Sequence, residues 1–324
     1  MYSTDQLQDL INKHIAEVPY PSVPSELYEP IRYILSMGGK RLRPSLVLMA
    51  CDLFHGSVLQ AIKPAVGIEM FHNFTLMHDD IMDKAPLRRG KPTVHVKWNE
   101  SVAILSGDAM LVEAYKLISQ VEDARLRKVL EVFNTVATGV CEGQQLDMNF
   151  ELSENVTIGA YMDMIRLKTA VLLGGSLQIG ALIGNAPDHF ASDLYSFGEN
   201  LGIAFQLQDD LLDVFGDPDK FGKQVGGDII SNKKTFLLIK AMELAEGLDA
   251  EELLYWMNAE NVESNTKVQS VTAIYNRLGV RELAELEMST YAEVALSKLD
   301  RIEVASERKD TLRQFAEKML IREN

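Results

Sequence analysis

The chain has 324 residues, 47% of them hydrophobic, which is typical of a globular protein with a sizeable core. A formal net charge of −15 argues against a general surface for nucleic acid or anionic membrane, so an anionic substrate would need local basic clusters or metal ions. The two cysteines, Cys51 and Cys141, are too few for a disulfide framework or a zinc site, and they favour a reducing, cytoplasmic compartment.

Apolar residues recur at helical spacing along nearly the whole chain, and no run of residues is typical of a strand. Pro44 and Pro64 suit the first turn of a helix, and no linker rich in Gly, Ser or Pro divides the chain. We therefore predict one all-α domain over residues 1–324, with helices at 3–17, 25–36, 44–54, 58–84, 98–118, 123–149, 156–184 and 188–214, and four or five shorter ones between 233 and 321.

Neither a signal peptide nor a membrane span is expected. The N-terminal stretch 1–18 is amphipathic and lacks the basic and apolar regions of a signal peptide. The longest weakly polar stretch, Thr169–Gly184, falls short of the roughly 20 residues that span a bilayer, and it contains Gly, Ser and Gln. We predict a buried core helix there and no stable membrane insertion.

Two acidic clusters lie on long apolar helices and place aspartates at i, i+1 and i+4: Asp79, Asp80 and Asp83, then Asp209, Asp210 and Asp213. At about 100° per residue, the first and last acids of each cluster share a helix face and repel each other. Oxygen-only ligands indicate a hard ion, and sparse ligation suits Mg²⁺ that bridges to substrate phosphates. The alternative, solvated surface acids, is disfavoured by the apolar neighbours of both clusters.

Basic residues concentrate in two segments, with Lys40, Arg41 and Arg43 in the first and Arg88, Arg89 and Lys91 in the second. Because guanidinium groups bind phosphate oxygens in a bidentate manner, these segments indicate a phosphate clamp in a chain that is otherwise acidic. Loop solubility is the alternative interpretation. The segment GGKRLRP lacks the glycine spacing and the Ser or Thr of a P-loop, and DPDKFG lacks the ligands of an EF-hand loop.

Taken together, the motifs resemble the trans-polyprenyl diphosphate synthase family, which includes farnesyl and geranylgeranyl diphosphate synthases. Six segments occur in the family's order and at compatible spacing: GGKRLRP, HDDIMDKAPLRRGKPT, EGQQLDM, RLKTA, FQLQDDLLDVFGD and GKQVGGDIISNKKT. The resemblance implies an all-helical bundle of the isoprenoid-synthase type around a deep central cavity, usually in a homodimer.

The resemblance also implies a role for each matching residue. Three Mg²⁺ ions would be bound principally by Asp79, Asp83 and Asp209, with support from Asp80, Asp147, Asp210 and Asp213. The allylic diphosphate would be held by Arg88, Lys168, Lys223 and Lys233, and isopentenyl diphosphate by Gly39, Lys40, Arg43, His72 and Arg89. Thr169 and Gln206 would face the developing carbocation. His78, beside the first cluster, is expected to be structural.

The implied activity is that of a short-chain prenyltransferase, which joins isopentenyl diphosphate to allylic diphosphates by Mg²⁺-assisted ionisation. A class I terpene cyclase is one alternative, but such enzymes usually lack a second diphosphate clamp. A non-catalytic subunit of a heteromeric synthase is the other, but such subunits tend to lose acidic positions, and both clusters are intact here.

Product length depends on the residues four and five before the first aspartate, which are Thr75 and Phe74. In the family these positions help to form the floor of the cavity, and an aromatic only at the fifth position resembles geranylgeranyl-type synthases. Phe71 could share that role, and ordinary core packing is the alternative for these aromatics. We predict a product of twenty carbons, with fifteen as the alternative.

Overall fold

The computed structural model describes residues 2–153, 155–217, 225–259 and 262–320 of the chain. In chain order its helices are α1 (Thr4–Ala16), α2 (Ser25–Ser36), α3 (Leu42–Leu53), α4 (Val58–Met82), α5 (Val94–Lys97), α6 (Glu100–Ile118), α7 (Asp123–Leu152), α8 (Ile158–Ile165), α9 (Val171–Ile183), α10 (Asp188–Phe215), α11 (Gly227–Ile230), α12 (Phe236–Leu244), α13 (Gly247–Asn258), α14 (Ser264–Leu278), α15 (Val280–Asp300) and α16 (Ser306–Leu320). The prediction of an all-α fold is confirmed.

One short hairpin departs from the helical pattern. Strand β1 (Leu87–Arg88) pairs antiparallel with β2 (Lys91–Pro92), with Arg88 opposite Lys91. The two turn residues, Arg89 and Gly90, have φ values of 53° and 72°, the left-handed geometry of a type I′ turn. Helical periodicity does not predict this hairpin, because strands of two residues are too short to show a period.

The predicted helix 156–184 occurs as three consecutive segments: α8, a π-helix over Arg166–Ala170, and α9. Nearly every residue of α9 is buried, as expected of a core helix. None of the helices in the described ranges combines the length and the apolar composition that are needed to cross a membrane.

The expectation that Pro64 occupies the first turn of a helix is wrong. Helix α4 begins at Val58, so Pro64 lies inside it. Val58, Ala61 and Ile62 are buried at helical spacing, and the burial of this face extends the helix upstream of the proline.

The chain forms two compact units, each made from several segments. The first comprises Met1–Asn134, Gly175–Tyr195 and Glu303–Leu312, and in it α4 packs against α3 and α6. The second comprises Thr135–Gly174, Ser196–Ile302 and Arg313–Asn324, and in it α12 packs against α8, α14 and α15. The prediction of a single domain over residues 1–324 stays a prediction.

Candidate active site

The first acidic cluster lies at the C-terminal end of α4, within the first unit. Asp79 and Asp80 belong to the last turn, and Asp83 is the residue that caps the helix. The backbone N–H of Asp83 donates to the carbonyl of Asp79 at 2.9 Å, so the turn between them is intact. Asp80 is buried, Asp79 is half-buried and Asp83 is exposed. The three acids of one motif therefore have three different environments.

The buried member of this cluster, Asp80, is committed to an ion pair with Arg88 on β1. The Nε of Arg88 donates to both carboxylate oxygens at 2.9 Å, and its Nη2 lies 2.8 Å from Oδ1. This pair compensates the cost of burying the carboxylate, and it connects the hairpin to α4. The supporting role in metal binding that the sequence predicts for Asp80 stays a prediction.

Backbone contacts hold the hairpin in place beside the cluster. The hydroxyl of Thr93 donates to the carbonyl of Ala85 at 2.7 Å, and the hydroxyl of Tyr33 on α2 donates to the carbonyl of Pro92 at 2.8 Å. The first bond joins the two ends of the segment that carries Arg88 and Arg89, and the second attaches that segment to α2.

A pocket of about 230 Å³ lies beside this segment in the first unit, and its lining is strongly basic. The lining residues are Gly39, Lys40, Arg41, Leu42, Arg43, Glu69, His72 and Arg89. All five residues that the sequence assigned to isopentenyl diphosphate are in this set. The structure therefore brings together side chains from the loop before α3, from α4 and from the hairpin.

Arg43 and His72 face each other in the pocket, with Nη1 of Arg43 3.3 Å from Nε2 of His72. Burial and the positive charges of Arg43, Arg89, Arg88 and Arg41 hold the pKa of His72 well below its usual value, so the imidazole is neutral and accepts from Arg43. The Nε of Arg43 is buried and has no hydrogen-bond partner among the described residues. A buried cationic donor of this kind favours an anionic oxygen in the pocket.

Gly39 and Arg89 fit together at the edge of the pocket. Gly39 has φ +140°, and a Cβ atom there would lie 3.0–3.1 Å from the guanidinium of Arg89. One nitrogen of that guanidinium donates to the carbonyl of Gly38. The glycine is therefore needed because the arginine lies directly against the backbone.

The residues predicted to limit product length follow each other on α4. Phe71 is buried, and its ring lies edge-on to Phe133 at 5.2 Å, whereas Phe74 is half-buried between Phe71 and His78. The hydroxyl of Thr75 donates to the carbonyl of His72 at 2.8 Å. Nε2 of His78 lies 3.2 Å from the carbonyl of Ile104 on α6, a contact that suits the structural role expected of His78.

The second acidic cluster lies near the end of α10, within the second unit. Asp210 is buried, whereas Asp209 and Asp213 are half-buried. The hydroxyl of Tyr161 on α8 donates to Oδ2 of Asp210, and Nε2 of Gln206 donates to Oδ1 at 3.3 Å. Burial, reinforced by the charge of Asp228, raises the pKa of Asp210 to about 7.

Asp213 connects this cluster to the loop before α11. Its Oδ2 accepts from the backbone N–H of Asp228 at 2.9 Å, and its carbonyl accepts from Gly226 at 2.6 Å. The backbone N–H of Lys233 in turn donates to the carbonyl of Asp228 at 2.9 Å. Lys223, the other lysine predicted in this region, lies outside the described residues.

Lys168 and Thr169 lie on the π-helix, in the same unit. Nζ of Lys168 is 2.6 Å from Oδ2 of Asp147 on α7, and the hydroxyl of Thr169 donates to Oε1 of Gln206 at 3.2 Å. A Cβ atom at Gly143 would lie 2.2 Å from the backbone nitrogen of Lys168, so this glycine lets α7 approach the π-helix closely. Single π-turns of this kind are frequent at functional sites.

Two features of the site were missed by sequence reasoning. Tyr161 holds Asp210, and Glu69 lies in the lining of the basic pocket. Each had a signal in the sequence, because Tyr161 precedes Lys168 by two helical turns, and Glu69 is a lone acid in the apolar stretch that leads to His72.

The donor chemistry of each cluster fits a hard divalent ion. Asp80 and Asp210 are the buried members of their clusters, bonded to Arg88 and to Tyr161 with Gln206. The less buried acids, Asp79, Asp83, Asp209 and Asp213, are the candidates for coordination. Over the described ranges, no three Asp, Glu, His or Cys side chains converge on one point. Sparse protein ligation suits Mg²⁺, which usually keeps water and substrate phosphate as its remaining ligands.

Comparison with known proteins identifies the family. The model of the family described as "Polyprenyl synthetase" matches residues 24–276. The chain is 39% identical to a geranylgeranyl diphosphate synthase of Methanosarcina mazei over 93% of this chain and 91% of the relative. It is 34% identical to a short chain isoprenyl diphosphate synthase of Methanothermobacter thermautotrophicus over 98% of this chain and 96% of the relative.

The solved structures agree with the sequence relatives. The fold matches that of a geranylgeranyl pyrophosphate synthetase from Pyrococcus horikoshii with a TM-score of 0.92 at 36% identity, over 99% of this chain and 98% of that chain. Polyprenyl synthetases act on isoprenyl diphosphates and use a divalent metal ion. The chain therefore belongs to the polyprenyl synthetase family and is a prenyltransferase.

Proposed function

We propose that this enzyme condenses isopentenyl diphosphate with allylic diphosphates and releases geranylgeranyl diphosphate as its main product. The observation that carries the proposal is the basic pocket beside the first acidic cluster, in which a neutral His72 accepts from Arg43 and the Nε of Arg43 has no partner among the described residues. A class I terpene cyclase usually lacks such a second clamp for a diphosphate. The relatives named above are synthases of this type.

We assign the metal sites chiefly to the less buried acids of the two clusters. Asp79, Asp83 and Asp209 would be the principal ligands of three Mg²⁺ ions, with Asp213 in support. Asp80 and Asp210 would orient the clusters through Arg88 and Tyr161, and Asp147 through Lys168. Bound Mg²⁺ would neutralise the charge that develops on the leaving diphosphate.

The basic pocket is assigned to isopentenyl diphosphate. Lys40, Arg43 and Arg89 provide positive charge, and His72 accepts from Arg43 in a way that orients the guanidinium. Holding this substrate in a fixed position converts the condensation into an effectively intramolecular step. The chain supplies orientation here, and the double bond of the substrate supplies the electrons.

The allylic diphosphate is assigned to Arg88, Lys168, Lys223 and Lys233. In the structure Arg88 and Lys168 are each paired with a carboxylate, Asp80 and Asp147, and these pairs hold both cations in defined positions. Thr169 and Gln206, which are hydrogen-bonded to each other, would present their oxygens to the developing allylic cation.

The departing pyrophosphate is assigned as the acceptor of the proton that is lost after condensation. His72 is a poor proton acceptor because its pKa is held well below the usual value. Glu69 is engaged with Arg41. The chain's role in this step is therefore to retain the pyrophosphate and to exclude water.

A homodimer in the cytoplasm completes the proposal. Exposed apolar side chains lie within an arc of about 100° on α6, at Ile104, Leu105, Val112 and Tyr115, and they suit a contact with a second copy. Cys51 and Cys141 are free thiols, which suits a reducing compartment. Leu105→Asp combined with Val112→Asp should give a monomer in light scattering, whereas Leu286→Asp, at another exposed leucine, should not.

The decisive experiment is turnover by the purified protein. With Mg²⁺, isopentenyl diphosphate and dimethylallyl, geranyl or farnesyl diphosphate, the dephosphorylated product should be mainly the alcohol of twenty carbons. Cyclic hydrocarbon from geranylgeranyl diphosphate alone would indicate a cyclase. An inactive protein that gains activity only when a second subunit is added would indicate the non-catalytic subunit.

A further inference from the structure

A buried ion pair in the first unit, between Arg41 and Glu69, forms part of the wall of the basic pocket. Nη1 of Arg41 is 2.6 Å from Oε1 of Glu69, and both side chains are almost fully buried, with 3% and 4% of their surface exposed. Asn73, also buried, donates to the same carboxylate oxygen at 3.1 Å. A buried pair is weak evidence for stability, because desolvation offsets the attraction, so its presence calls for another reason.

Arg41 connects three helices through its one guanidinium. Nε donates to the side chain of Asn12 on α1 at 3.0 Å, Nη2 donates to the carbonyl of Leu35 on α2 at 2.8 Å, and Nη1 pairs with Glu69 on α4. The guanidinium carries N–H donors on three separate nitrogens in one plane, so it can bond to three partners at once. A lysine could pair with Glu69 but could not make all three contacts.

The backbone at Arg41 shows what these contacts hold in place. Arg41 has φ 48° and ψ 38°, a left-handed conformation that is uncommon for a residue with a side chain, and it is the cap of α3. Its neighbours Lys40 and Arg43 line the pocket, and the carbonyl of Lys40 accepts from Gln8 on α1 at 2.8 Å. The inward contacts of Arg41 therefore determine where Lys40 and Arg43 enter the pocket.

Charge adds a second reason for the pair. Glu69 lies in the lining of a pocket that is otherwise basic, and an uncompensated carboxylate there would repel a diphosphate. Arg41 and Asn73 both bind its Oε1. The pair thus neutralises the carboxylate of Glu69, so that this residue does not repel an anion in the pocket.

We propose that Arg41 and Glu69 are positioning residues for the isopentenyl diphosphate site: they orient Lys40 and Arg43 and take no part in the chemistry. This inference rests on the proposed function. It predicts that disturbing the pair changes the KM for isopentenyl diphosphate and leaves the KM for the allylic substrate unchanged. If the pair had only a structural role, disturbing it would lower the stability of the protein and leave both KM values unchanged.

The test compares Arg41→Lys and the double variant Arg41→Met with Glu69→Met, which leaves no buried charge unpaired. Both should raise the KM for isopentenyl diphosphate by about tenfold, the effect of one lost charge-assisted hydrogen bond, with kcat nearly unchanged. Arg308→Lys is the matched control, since Arg308 donates to the carbonyls of Leu53 and Asp52 in the same unit but does not line the pocket. An unchanged KM in both pair variants, with a loss of Tm like that of Arg308→Lys, would overturn the proposal.

A second measurement separates this inference from the proposed function. Inorganic pyrophosphate can be titrated by calorimetry into the wild type and the variants, in EDTA so that metal-bound binding is removed. Weaker binding by Arg41→Lys than by Arg308→Lys would support the positioning pair even if the wild type failed to turn over isopentenyl diphosphate. Equal binding by these two variants would contradict it even in an active synthase.

Discussion

The hydroxyl of Tyr161 on α8 donates a hydrogen bond to the carboxylate of Asp210 on α10, and both side chains are buried. This contact and the one from Gln206 use both oxygens of the middle acid of the second cluster. The cluster is therefore not three equivalent carboxylates. Asp210 is held by Tyr161 and Gln206, whereas Asp209 and Asp213 are half-buried.

Tyr161→Phe should weaken metal binding without removing a ligand. The loss of one hydrogen bond to a buried carboxyl group should destabilise the protein by about 1–3 kcal/mol. The Mg²⁺ concentration for half-maximal rate should rise, because Asp210 no longer holds the cluster rigidly. Tyr275→Phe, at a buried tyrosine in the same unit that is not bonded to Asp210, is the control. An equal Mg²⁺ requirement in the two variants would refute this role for Tyr161.

Asp79→Ala or Asp209→Ala should lower turnover by about 10²–10³ or more, because each removes a carboxylate that we assign to Mg²⁺. The fold should persist, since neither acid is fully buried. Steady-state rates beside circular dichroism spectra test this, with Asp108→Ala on the exposed face of α6 as the control. Near-normal turnover with an unchanged spectrum would contradict the metal assignment.

The two diphosphate sites should be separable by mutation. Arg43→Met should raise the KM for isopentenyl diphosphate about tenfold or more, because a charge-assisted contact to phosphate is lost. Lys168→Met should act mainly on the allylic substrate. Initial rates with each substrate varied in turn give both constants. If both variants changed the same constant alone, the division of roles would be wrong.

Phe74→Ala should shift the products to longer chains. Phe74 is half-buried, so removal of its ring opens space at moderate cost, and a growing chain in an apolar cavity can fill that space. Phe71→Ala should cost about 3–5 kcal/mol, because Phe71 is 1% exposed and packs against Phe133, and it should change product length less. Chromatography of the dephosphorylated alcohols is the measurement. An unchanged distribution for Phe74→Ala would place the floor at another residue.

His72 should make the protein less stable in mild acid. Its folded-state pKa lies below the unfolded value of 6.5, owing to burial and to the charges of Arg43, Arg89, Arg88 and Arg41. Its contribution is therefore fully present above that pH and is lost as the pH falls, at no more than about 1.4 kcal/mol per pH unit.

Urea unfolding of the wild type and of His72→Gln, at pH 7 and at pH 5.5, measures this contribution. The wild type should lose more stability than His72→Gln over that interval, because glutamine does not titrate. Equal losses in the two proteins would show that the acid sensitivity comes from other groups.

Much of the fold and of the chemistry follows from local pattern. Helical spacing of apolar residues predicts nearly every long helix, because a helix buries the same face every three to four residues wherever it packs. The spacing of the aspartates predicts their common face for the same reason. The order of six motifs is enough to identify the family, and the comparisons confirm it.

Tertiary packing decided which partner each buried carboxylate has. Asp79 and Asp80 are neighbours in sequence, yet Asp80 is buried against Arg88 while Asp79 is half-buried, because the hairpin returns to the end of α4. Tyr161 meets Asp210, and Arg41 meets Glu69, across separations of 49 and 28 residues. Helical periodicity predicts which face of a helix is buried. The partner that a buried carboxylate finds depends on how distant segments pack, and on which cation or hydroxyl they bring within hydrogen-bonding distance.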